Sequence, residues 1–115
     1  MTAPSGYRKG LRAETLAAWY LRLKGYRILA MRYKTRLGEI DIVARRGRGL
    51  VFAEVKWRGA QDDAKAAIHA QNRQRVRRAA ELYLQKHPRY NECDVRFDAL
   101  VMAPGRWPLH IRNAF

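Results

Sequence analysis

Residues 50–57 alternate in chemistry: Leu50, Phe52, Glu54 and Lys56 fall on one side of an extended chain, Val51, Ala53, Val55 and Trp57 on the other. The preceding run, Glu39 to Ala44, is equally rich in β-branched residues, and Gly47-Arg48-Gly49 lies between the two. Two short apolar runs around a glycine connection predict a β-hairpin. Its second strand carries two charged residues on a face it shares with Leu50 and Phe52. An exposed face should not mix residues in this way, so the strand is predicted to run from a core into a cleft.

Other elements follow from periodicity. A helix is expected from about Leu11 to Lys24, stopped by Gly25, with Glu14 on the same face as Ala17, Ala18 and Leu21. Tyr26 to Tyr33 suits a first strand, although its period is indistinct. A second helix is expected from about Ala64 to Lys86. Val76, Ala79, Ala80, Tyr83 and Leu84 form its apolar stripe, and Pro88 ends it. Val95 to Met102 alternates as a last strand, closed by Pro104-Gly105, and the tail RWPLHIRNAF is read either as a short strand or as a wrap around the core. The order α-β-β-β-α-β predicts an α/β fold, a mixed central sheet flanked by helices. One domain is expected over residues 1–115, with 1–9 and 104–115 peripheral.

Composition narrows the function. A content of 48% apolar residues argues against wholesale disorder, and no apolar run is long enough to span a bilayer. The N-terminal MTAPSGYRKG lacks the apolar segment of a secretory signal, and a lone Cys93 forms no internal disulfide, so the cytoplasm is the expected compartment. With 24 basic residues against 10 acidic ones the chain carries +14, which favours a polyanionic partner such as DNA, RNA or an anionic membrane surface. Arg73, Arg75 and Arg77 on the second helix, with Arg45, Arg46 and Arg48 in the hairpin loop and Arg58 after it, are the expected phosphate contacts, placed to straddle the cleft. A merely solvated basic surface is the competing explanation.

Against this basic background, Asp41 and Glu54 on adjacent strands and Glu14 on the first helix form an acidic set. Carboxylates on neighbouring strands can converge on a hard divalent cation, Mg2+ or Mn2+, with the backbone carbonyl of Val55 as a further oxygen ligand. Lys56 would point to the same place, and Glu39, two residues before Asp41, is a further ligand or outer partner. Ordinary cross-strand ion pairs are the alternative reading. His69, His87 and His110 have no zinc-ligand spacing, Cys93 is expected to be structural, and Trp19 and Trp57 are expected in the core. Asp98, inside the last strand, is expected to pair with an arginine near the site.

The run GEIDIVARRGRGLVFAEVKWR, preceded by AETLAAWYLRLKGYRIL and followed by AAELYL, RFDALV and HIRNAF, resembles the YraN family of small bacterial proteins. That family is similar to archaeal Holliday-junction resolvases of the PD-(D/E)XK nuclease superfamily, and the resemblance covers Gly10 to Met102. It implies a restriction-endonuclease-like fold and a metal-dependent endonuclease that hydrolyses DNA phosphodiesters, with branched or junction DNA as a candidate substrate and in-line attack by a metal-activated water. It places Asp41 at the motif aspartate, Glu54 and Lys56 at the E-x-K pair and Glu14 at the helix-one glutamate. Ile40 stands where the motif's name has proline, and Gln71-Asn72-Arg73 occupies a stretch expected to carry a lysine, for which Arg73 is the candidate substitute. A catalytically silent nucleic-acid-binding protein of the same fold is the main rival. A basic RNA-binding or ribosome-associated module is a weaker one, and a homodimer acting on both strands of a symmetric junction is a further expectation.

Overall fold

The computed structural model describes residues 5–57 and 70–115, with side chains described for 12–57 and 73–115. Its elements are helix α1 (Ser5–Leu23), strands β1 (Arg27–Lys34), β2 (Glu39–Arg46) and β3 (Gly49–Trp57), helix α2 (Ala70–Lys86), a 3-10 turn (Pro88–Tyr90), and strands β4 (Asp94–Met102) and β5 (Leu109–Ile111). The five strands form one mixed sheet in the order β1-β2-β3-β4-β5; only the β3–β4 pair is parallel. The fold is therefore α/β, as expected, with a fifth strand. Of the two readings open for the tail, the strand is the one observed. The part of the second helix expected at residues 64–69 lies outside the described residues, as do His69 and Arg58.

The alternation along β3 separates two cores. Val51 and Ala53 pack with Ile42, Ala44 and Leu100 against Ala13, Ala17, Ala18 and Leu21 of α1. Leu50 and Phe52 pack with Ile40 and Val43 against Val76, Ala79, Ala80 and Tyr83 of α2. Burial on both faces explains why β3 reads as a nearly continuous apolar run. One helix thus covers each face of the sheet.

Helix α1 ends as its glycine predicts. Gly25 takes a positive φ of 93°, Tyr26 N–H donates to the Leu21 carbonyl at 3.0 Å, and Gly25 N–H donates to that of Arg22 at 3.0 Å. This is the paired bonding of a Schellman motif, with Tyr26 and Leu21 in one core cluster. The indistinct period of β1 also has a cause. Its pairing with β2 shifts between Ile28 and Ala30, and Arg32 adopts a φ of 54°. Each irregularity breaks the two-residue repeat.

The expectation for Trp19 is overturned. It points outward from α1 with 59% of its surface exposed, and the Arg22 guanidinium lies 4.9 Å from its ring centre. Ala17, Ala18 and Leu21 already fill the inward face of the helix, leaving position 19 on the outer side. Trp57 does pack against the α1-side core.

Candidate functional site

The turn between β1 and β2 sets the entrance. Thr35 Oγ1 accepts from the backbone N–H groups of Leu37 (3.1 Å) and Gly38 (3.0 Å), and Thr35 N–H donates to the Gly38 carbonyl at 2.8 Å. Gly38 then passes directly under α2. A Cβ built on it would lie 2.4 Å from the Arg75 carbonyl oxygen, so glycine is what allows the helix to sit this close.

Just beyond, the sheet opens. Pairing between β2 and β3 runs from Arg46↔Gly49 to Ile42↔Ala53 and stops there, whereas pairing with β1 continues to Lys34↔Glu39. The next facing positions would be Asp41 and Glu54. In place of a ladder bond, Asp41 Oδ2 accepts a hydrogen bond from Val55 N–H at 2.8 Å. Glu39, Asp41 and Glu54 line the resulting cleft of about 190 Å³, and Arg75 of α2 closes it.

Around this opening the acidic groups interact strongly. Burial pushes the Asp41 carboxyl up to about 7; the Val55 N–H opposes this, while the negative charges of Glu14, Glu54 and Glu39 reinforce it. Glu14 is also raised, first by burial and then by Glu39, against the opposing charge of Arg32. Two basic residues hold two of the carboxylates. Lys56 Nζ lies 2.9 Å from Glu54 Oε1, and Arg32 Nε lies 3.6 Å from Glu14 Oε1. The contact of Lys56 with Glu54 confirms that the two share a strand face. Two buried oxygens, Glu14 Oε1 and Glu54 Oε2, have no hydrogen-bond donor.

The structure thus brings Glu14, Glu39, Asp41, Glu54 and Lys56 to one locality. Among the described residues, however, no three His, Cys, Asp or Glu side chains are gathered closely enough to hold a metal ion as they stand. Like charges around a partly buried centre resist closer approach, and Arg32 and Lys56 each engage one of them from outside. Oxygen-only donors nevertheless fit a hard cation, as do two buried carboxylate oxygens that accept no hydrogen bond, Glu54 Oε2 and the Glu14 Oε1 that faces Arg32 at 3.6 Å, because a buried acceptor without a donor is costly.

Arg32 was not singled out from the sequence. Its left-handed backbone stands between the Met31↔Ile42 and Tyr33↔Ile40 pairs, across from Asp41, and costs on the order of 1 kcal/mol. No sequence signal marks an arginine for that conformation. Gly38, in contrast, carried a usable signal as the glycine three residues before Asp41.

The arginines divide. Arg75 lines the cleft, Arg73 is exposed on the same helix, and Arg77 lies 4.6 Å over the Phe97 ring. The hairpin-loop arginines do not straddle the cleft. They sit at the other end of β2, roughly 15 Å from Asp41 at about 3.3 Å per residue. There Arg46 donates to the Lys24 carbonyl at 3.0 Å and Arg48 to that of Glu92 at 3.1 Å. Arg45 lines a separate polar cleft with Arg27, Arg89 and His87.

Asp98 does pair with an arginine, but on the α1 face of the sheet, opposite to Glu54. Fully buried, it accepts from Arg96 Nε at 2.8 Å and Nη2 at 2.9 Å, from His110 Nε2 at 2.7 Å and from Asn113 N–H at 3.1 Å. Burial alone would raise its pKa; the donors outweigh it and hold the carboxyl down at about 2. Lys24 Nζ lies 2.6 Å from His110 Nδ1, so Nδ1 accepts and the ring proton sits on Nε2. The cluster anchors the tail.

Fold and cleft together define a small α/β protein with an acidic cleft in a strongly basic chain. Residues 13–102 match the family described as "Uncharacterised protein family UPF0102". A UPF0102 protein of Parvibaculum lavamentivorans is 49% identical over 114 residues, covering 99% of this chain and 86% of the relative. One from Mesorhizobium japonicum is 49% identical over 109 residues (95% and 87%), and one from Nitrobacter winogradskyi 49% over 111 (96% and 94%). The chain belongs to UPF0102, the YraN family that its sequence resembles. Among the described residues no helix is long and apolar enough to cross a membrane.

Proposed function

We propose that this protein is a metal-dependent endonuclease acting on DNA, with its reactive centre where β2 and β3 part. The observation that carries the proposal is the gathering of Glu14 and Glu54 around the partly buried Asp41 carboxyl, with Glu54 Oε2 buried and accepting no hydrogen bond, in a chain of net charge +14. A polyanion attracted by that charge would meet an acidic centre only if a cation reversed its sign. Asp41, Glu54, Glu14 and the Val55 carbonyl would hold Mg2+ or Mn2+. Once bound, such an ion neutralises charge on phosphate oxygens and lowers the pKa of a coordinated water.

The chain's own residues have separable parts. Asp41, with its raised pKa, releases a proton when a cation binds, so affinity should rise with pH. Lys56, held at 2.9 Å from Glu54, keeps an ammonium at the mouth of the cleft, where it can donate to a phosphate oxygen or orient water. Arg75 supplies a guanidinium on the α2 side for a backbone phosphate. Branched or junction DNA is the first substrate to try.

A silent DNA-binding protein is the second reading. It is favoured by the lack of any pre-assembled group of three ligands among the described residues. Incubating plasmid, single-stranded and four-way-junction DNA with Mg2+ or Mn2+ separates the two. Cleavage by the wild type that is lost in Glu54→Ala supports the enzyme. Binding of DNA by both proteins, with neither cutting, replaces it with the silent binder.

A further inference from the structure

A second concavity, larger than the acidic cleft and of opposite character, lies between α1 and the segment that follows β4. Its volume is about 720 Å³, and Trp19, Tyr20, Trp57 and Trp107 contribute to its walls together with Arg12 and Arg106. All three tryptophans of the chain are therefore on one surface. Trp19 and Trp107 are 59% and 79% exposed, well beyond what the burial tendency of indoles explains. Tyr20 and Trp107 lie 6.4 Å apart across the groove. Among the described residues, its lining includes no acidic side chain.

Charge discriminates among possible occupants. A second copy of this chain would bring another +14 to a surface already edged by Arg12 and Arg106, with Arg22 stacked on Trp19. A negatively charged ligand with flat apolar faces matches both features of the groove, and an unpaired nucleic-acid strand has both in every residue.

We infer that this groove binds single-stranded DNA, with bases stacked on Trp19 and Trp107 and phosphates met by Arg12 and Arg106. The inference deepens the endonuclease reading by naming an unpaired strand as part of the substrate, and in that it rests on that reading. Binding to the groove can be measured without it.

Because every tryptophan lines the groove, intrinsic fluorescence reports on it directly. The full chain is titrated, in EDTA, with oligothymidylate, with the same oligomer annealed to oligoadenylate, and with polyglutamate. Oligothymidylate should quench the emission and bind more tightly than the duplex. Trp19→Ala and Trp107→Ala, both at exposed positions, should each weaken it roughly tenfold. Equal affinity for single strand and duplex without quenching overturns the inference. So does preferential quenching by polyglutamate, which would indicate an acidic protein partner, or a concentration-dependent dimer in sedimentation that covers the tryptophans. Quenching by oligothymidylate in a protein that cuts no DNA would retain the groove and sink the nuclease; cutting of duplex without quenching would do the reverse.

Discussion

The carboxylate of Asp41 accepts a hydrogen bond from the backbone N–H of Val55 at 2.8 Å, at the point where β2 stops pairing with β3. One side chain thus satisfies a donor that the ladder has abandoned and brings negative charge into the opening that this creates. That charge, the seating of α2 over Gly38 and the anchor of the tail each have a consequence that can be measured on the purified protein.

Asp41 should destabilise the cation-free protein near neutral pH. Its folded pKa of about 7 lies above the ordinary 3.8, so the unfolded chain ionises first as pH rises and the folded state is progressively penalised up to about pH 7. Asp41→Asn retains an oxygen that can accept from Val55. The variant should be more stable than wild type by on the order of 1–3 kcal/mol near pH 8 and equal to it near pH 4. Thermal melts at the two pH values check this. Adding Mn2+ should raise the melting temperature of the wild type alone; an identical rise in the variant would remove Asp41 from the cation site.

Gly38→Ala tests the seating of α2. The added methyl would meet the Arg75 carbonyl oxygen at 2.4 Å and its carbon at 2.9 Å, both backbone atoms that cannot rotate away. A loss of roughly 2 kcal/mol in urea denaturation is expected from forced overpacking of this kind. Arg75 sits on the cleft, so DNA affinity should fall as well. Unchanged stability would mean that the turn and the helix are not in this contact in solution.

Acid should release the C-terminal segment. The Asp98 carboxyl, held at about 2, contributes stability that is fully present above its ordinary pKa of 3.8 and is lost as pH falls from there towards 2. The contribution is about 2 kcal/mol. Asp98→Ala, which leaves the Arg96 guanidinium with Tyr26 Oη and His110 with Lys24 as their remaining partners, should cost about 3 kcal/mol at neutral pH and flatten the acid limb of the stability curve. Acid titration of the two proteins followed by circular dichroism provides the comparison.

The family, the α/β class and the face on which each β3 residue lies were legible along the chain, because they depend on local quantities. Alternation of Leu50, Phe52 and Glu54 with Val51, Ala53 and Val55 is a property of one strand, and Gly25 ends α1 through its own backbone freedom. The candidate residues Glu14, Asp41, Glu54 and Lys56 could be named from residue type and resemblance. Their gathering into one locality is a finding of the structure.

Relationships between distant segments were not legible. Arg32 reaches Glu14 through a left-handed backbone that nothing in its neighbours requires, and Asp98 finds His110 only because β5 folds back onto β4. Trp19 looked like a core residue because its helix is largely apolar, yet Ala17, Ala18 and Leu21 had already filled the inward face. The hairpin arginines looked close to Asp41 in sequence, but an extended strand carries them to its far end. Local pattern thus determined the elements of this protein and the residue types of its site. Tertiary structure alone decided where β2 and β3 separate, which charges face each other there, and that its tryptophans share one groove, because those depend on how the sheet twists, pairs and is covered.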